Sequence, residues 1–164
     1  MKKFSKLVAL ALACVMALTM LTACGGGGNT VKKEDQILGV LNEVRKEHSL
    51  GEVKMTSELS QLAETMWKNS NDQTWHRVTI DGETYLVYRV FGQNNPAGLT
   101  ELIKFKEFFE KGVQRYQNGE NRYATSFFGR SDLKYVGIYD KIENGKEYYG
   151  VVAAFPEKVS PWTK

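Results

Sequence analysis

The stretch from Leu133 to Phe155 constrains this chain most tightly. "LKYVGIYD" and "KEYYGVVAAF" are both rich in β-branched and aromatic residues, and Asn144-Gly145 between them suits a tight hairpin turn with positive φ. A second run of the same kind, "ETYLVYRVF", lies upstream and reads as another strand. Three such runs predict a mostly antiparallel sheet, and the segments before them predict the helices that pack on it, an α+β arrangement.

Those segments carry helical spacing. Ile37, Leu38, Leu41 and Val44 fall at i, i+1, i+4 and i+7 after Asp35, which can cap the helix, and Ser49 to Gly51 ends it. A second helix follows Thr56 or Ser57, with Glu58 in its first turn and Leu59, Leu62, Ala63 and Met66 on one side. A third is expected from Thr100 to Tyr116, with Leu102, Ile103, Phe105, Phe109 and Val113 as candidate core. Thr74 to Gly82 reads as loop, with Asp81-Gly82 as a turn signal.

The amino-terminal segment says where the protein works. Lys2, Lys3 and Lys6 precede an almost wholly apolar run from Leu7 to Ala23, the pattern of an export signal. Leu21-Thr22-Ala23-Cys24 resembles the bacterial lipobox, which implies cleavage before Cys24 and lipid on that cysteine. The expected organisation is therefore a signal peptide over 1–23, the lipidated cysteine and a Gly-rich linker over 24–32, and one domain over 33–160. The implied location is the extracytoplasmic face of the cell membrane.

Processing changes both charge and thiol chemistry. Losing Lys2, Lys3 and Lys6 from the 22 basic residues leaves 19, equal to the 19 acidic ones. The net charge of +3 belongs to the signal, and the near-neutral remainder lacks the basic excess of a nucleic-acid binder. Cys14 leaves with the signal and Cys24 is taken by lipid, so no thiol remains for a disulfide or a nucleophile.

Five stretches, in order, carry a resemblance. They are "LNEVRKEHSLGEVKMTSELSQLAE" with Asn42 and Arg45 three apart, "HRVTIDG", "FGQNN", "TELIKFKEFF" with Phe108 at an aromatic position, and the closing "LKYVGIYD…KEYYGVVAAF". Together they resemble the CAP superfamily, also called SCP or PR-1-like, in its short bacterial form. The resemblance implies a three-layer αβα sandwich around a central, mostly antiparallel sheet. It also implies a cleft in which many members converge two histidines and two acids, some of them binding a divalent ion.

This sequence departs from that tetrad. His76 matches the first histidine. Gln93, followed by Asn94, stands at the first acid, and an amide neither ionises near neutral pH nor binds a cation as a carboxylate does. The second histidine falls at Gln114 or near Ala124, depending on the alignment, and His48 belongs to the first helix. Glu107 or Glu110 is the candidate second acid. A zinc site needs about three protein ligands, more than this set supplies, so neither a metal nor another cofactor is expected.

The function that follows is a lipid-anchored, degenerate CAP-like binding module for a cell-wall, apolar small-molecule or protein ligand. The alternative is an envelope hydrolase in which His76 works with an unidentified acid as general acid or base. The cleft candidates are His76, Gln93, Asn94, Glu110 and Gln114. A groove lined by Tyr116, Tyr123, Phe127 and Phe128 is a further reading, set against the stronger preference of aromatic side chains for the core.

Overall fold

A computed structural model describes residues 31–68, 75–91, 102–121, 123–143 and 146–158. The signal segment, Cys24, the linker, Gln93, Asn94 and the Asn144-Gly145 pair lie outside the described residues. The elements run α1 (Lys33–Glu47), β1 (Lys54–Met55), α2 (Ser57–Lys68), β2 (His76–Ile80), β3 (Glu83–Phe91), α3 (Leu102–Gln117), a 3₁₀ turn (Ala124–Gly129), β4 (Tyr135–Glu143) and β5 (Lys146–Pro156). The five strands form one sheet in the order β1-β4-β5-β3-β2. Only β1 is parallel to its neighbour; the other three pairings are antiparallel.

The α+β expectation holds, and so does the layering. Alternate residues of each central strand face opposite ways, so each strand feeds two cores. Val136, Ile138, Tyr149, Val151, Ala153 and Phe155 pack with α1, α3 and the 3₁₀ turn on one face. Val152, Ala154, Tyr85 and Val87 pack with Leu59, Ala63 and Met66 of α2 on the other.

Local chemistry explains where the helices start and stop. α1 begins at Lys33, two residues before Asp35, so Asp35 serves with Glu34 as first-turn acid at the positive end of the helix dipole instead of capping it. Its far end is a Schellman closure: Leu50 N–H donates to Arg45 O at 2.8 Å and Ser49 N–H to Lys46 O at 3.0 Å, with Ser49 at φ 58°. α2 is capped by Thr56, whose Oγ1 accepts the Leu59 N–H at 3.2 Å. In α3, Phe105, Phe109 and Val113 are buried as expected, but Ile103 is 59% exposed. It lies two residues before Phe105, roughly 200° round the helix.

One further expectation is corrected, and one choice between two readings is decided for the core. His76 to Ile80 is a strand, not loop: it alternates inward Val78 and Ile80 with exposed Arg77 and Thr79, and pairs with β3 from His76↔Val87 to Ile80↔Glu83. Asp81 (φ 51°) and Gly82 (φ 80°) form the two-residue turn between them, positive at both positions as a type I′ hairpin requires. Phe127 and Phe128 are buried core, 1% and 0% exposed, so they line no open groove. Phe128 meets Phe109 edge-on at 4.8 Å, and Phe127 meets Phe155 at 5.1 Å.

Candidate binding surface at the sheet edge

The β2–β3 hairpin determines which side chains share a surface. Its tight turn pins the register, placing His76 beside Val87 and Arg77 beside Leu86. His76, Val78 and Ile80 therefore face the α2 layer, while Trp75, Arg77 and Thr79 face the other side. There α1, α3 and the 3₁₀ turn cover β4 and β5 as far as Tyr88, whose ring stands 5.8 Å from Phe127. Trp75 remains 46% exposed.

Trp75, Arg77 and Glu157 form a row along this edge. The Arg77 guanidinium lies over the Trp75 indole, 4.8 Å from its centroid, and its Nε donates to the Glu157 carboxylate. Glu157 is in turn fixed by its backbone N–H, which donates to Thr84 O at 3.0 Å. Beside the row a cleft of about 350 Å³ is lined by Gly82, Glu83, Thr84, Pro156, Glu157 and Lys158. That volume lies at the lower end of the range typical of small-molecule sites. Glu83 accepts the Tyr85 hydroxyl at 3.0 Å; burial first, and then that carboxylate, push the Tyr85 pKa up to about 12. Trp75, Arg77 and Glu157 give this face an indole, a cation and a carboxylate, a set suited to stacking and to polar contacts, while Glu83, opposite Ile80 in the register, turns to the α2 face with Tyr85.

The expected tetrad positions are divided by the sheet. α3 buries Phe105, Phe109 and Val113 on the face opposite His76, so Glu107, Glu110 and Gln114 belong to the other layer. Ala124, the other position for the second histidine, opens the 3₁₀ turn of that same layer. Glu110 is half-buried, whereas Glu107 and Gln114 are exposed. His48 is the C-cap residue of α1, its Nδ1 3.2 Å from Gln117 Nε2. Among the described residues, no three His, Cys, Asp or Glu side chains are grouped to hold a metal ion.

Asn42 and Arg45 are brought inside the fold. Asn42 exchanges two hydrogen bonds with the Val53 backbone. Arg45 is fully buried and donates to three carbonyls, Gly51 O and Phe128 O at 2.7 Å each and Arg130 O at 3.1 Å. Burial lowers its pKa to about 10. These two residues build the scaffold and leave the sheet edge to others. The Trp75-Arg77-Glu157 row was not anticipated from sequence. Its signal was the period-two spacing of an aromatic and a basic residue, legible once His76 to Ile80 is a strand.

The described residues thus form an α+β domain with an aromatic, charged sheet edge. Among solved structures the chain is similar to MpPR-1i, with a TM-score of 0.42 and 14% identity over 82% of this chain and 93% of that one. It is similar also to MpPR-1i soaked with selenourea, with a TM-score of 0.41 and 13% identity over 80% of this chain and 95% of that one. No protein-family model matches the chain, and no curated protein matches it.

Proposed function

We propose that this chain is exported, cleaved before Cys24 and held by lipid on that cysteine at the extracytoplasmic face of the cell membrane. Its domain is a degenerate CAP-like module, in the short bacterial form, that binds a ligand without transforming it. The lipobox-like "LTAC" supports the anchor; the five motifs, in order along the sequence, and the three-layer sandwich of the described residues support the family reading. The observation that carries the binding role is the division of the tetrad positions. His76 faces α2, while the acids of α3 belong to the opposite layer. A general acid–base pair needs hydrogen-bond reach, directly or through one water.

The ligand is a cell-wall component, an apolar small molecule or another protein, received at Trp75, Arg77 and the adjoining cleft. The test is retention of the mature lipoprotein on isolated envelope material. Trp75→Ala is expected to weaken retention several-fold, and His76→Ala to leave it unchanged. Wild-type protein that releases soluble fragments from that material, with the release abolished by His76→Ala, would replace this reading with the hydrolase. Mass spectrometry of Cys24→Ala tests the anchor separately: the acyl mass should vanish.

A further inference from the structure

Three of the large apolar side chains exposed among the described residues are aliphatic, and they are the most exposed of all: Val31 at 63%, Ile103 at 59% and Ile142 at 67%. Val31 lies two residues before α1, Ile103 in the first turn of α3 and Ile142 near the end of β4, and contacts among these elements bring them to one end of the sandwich. The Glu34 side chain, in the first turn of α1, stands beside the Asp140 side chain on β4. Asp140 is the cross-strand partner of Tyr149, and the Tyr149 ring stands 4.8 Å from Phe105 near the start of α3. Val31 precedes Glu34 by three residues, Ile142 follows Asp140 by two, and Ile103 precedes Phe105 by two. Ile142 also shares the parity of Val136 and Ile138, so it stands on the face where both helices begin. Lys32 and Lys104 are exposed beside these residues, with Asp35 the exposed acid of the first turn of α1.

We propose that this end of the domain, with Val31, Ile103 and Ile142 at its tip, rests on the lipid surface to which Cys24 tethers it. The inference rests on the lipidation reading above. Seven residue steps separate Cys24 from Val31, a reach of about 25 Å at most. A compact domain of this size is about 35 Å across. The tether is therefore too short for the domain to turn over and set its opposite end on the bilayer. The end held nearest the lipid is also the end with aliphatic side chains in solvent. Such side chains gain by entering the boundary between headgroups and acyl chains, and neighbouring lysines keep their ammonium groups at headgroup depth.

Processing leaves no free thiol, so a single introduced cysteine can carry a fluorophore. Ile103→Cys, Ile142→Cys and, at the far end before β4, the exposed Ser131→Cys would be labelled in the mature lipoprotein. Each is placed on vesicles of phosphatidylethanolamine and phosphatidylglycerol containing headgroup-nitroxide lipid, after mass spectrometry has established the acyl group. Quenching is expected to be several-fold stronger at 103 and 142 than at 131. Equal quenching at all three sites in acylated protein overturns this inference and leaves the anchor standing. Absence of the acyl mass removes the anchor, and the inference with it. Shielding that follows protein concentration and not lipid assigns the tip to a second copy of the chain, and also overturns the proposal.

Discussion

Asn42 and Val53 hold each other in a two-way hydrogen bond: the Asn42 amide donates to the Val53 carbonyl at 3.0 Å and accepts the Val53 N–H at 2.8 Å. The pair closes the loop between α1 and β1 and delivers β1 to its parallel place beside β4. Asn42→Ala removes both bonds and strands two backbone groups, which should cost about 2 kcal/mol. Urea unfolding would show this as a lower midpoint with an unchanged slope.

Arg45 acts over a longer reach. Its guanidinium ties α1 to Gly51, Phe128 and Arg130, residues up to 85 positions away in the chain. Arg45→Ala leaves the carbonyls of a buried site without their donor and opens a cavity, at an expected cost of about 3–5 kcal/mol. Arg45→Lys, a point charge without the planar fork, should recover only part of that. Thermal unfolding of the three proteins would order them wild type, Lys, Ala.

Gly137 lets α2 lie close on the sheet. A Cβ there would overlap the backbone carbonyl of Leu59, a group held in the helix and unable to swing aside. Gly137→Ala should destabilise the protein by about 3 kcal/mol by forcing α2 away from β4. Gly39, with nothing near it, is the control: Gly39→Ala on the exposed face of α1 should be stabilising.

The Glu34–Asp140 contact makes stability depend on pH. Burial first, and then the hydrogen bond and charge of Asp140, raise the Glu34 pKa above its ordinary 4.5. The folded state therefore binds this proton more tightly than the unfolded chain does. The stabilisation is complete below about 4.5 and is lost as pH rises through the raised value. Glu34→Gln keeps a hydrogen-bond donor toward Asp140 at every pH. Its melting temperature should exceed that of wild type at neutral pH, and the gap should close in acid.

His76 is the one imidazole aligned with the tetrad, and the acids of α3 belong to the other layer. Titration of zinc into the mature protein at neutral pH is expected to give no stoichiometric heat. A tight one-to-one isotherm abolished by His76→Ala would show an ion site formed around that histidine.

Much of the scaffold was legible in the chain itself. "ETYLVYRVF" is β3 end to end, and Leu59, Ala63 and Met66 are the face of α2, because period and composition are local properties. The paired runs "LKYVGIYD" and "KEYYGVVAAF" became β4 and β5, pairing out to Glu143↔Lys146 around the undescribed Asn144-Gly145. What failed locally was short or decided at a distance. The five residues of β2 are a strand because β3 offers them a partner, and β1, two residues long, exists only through β4.

Whether His76 and the α3 acids share a space was not written in either segment. Sequence alone determined the long strands and the buried faces of the helices, because composition and period are local properties. Tertiary structure alone decided the side of the sheet each candidate faces: strand parity becomes a direction only when a neighbouring strand fixes the register, and a helix joins a layer only through its packing. That is why His76, one residue from Arg77, turns toward α2 while Arg77 and Trp75 turn to the sheet's other face.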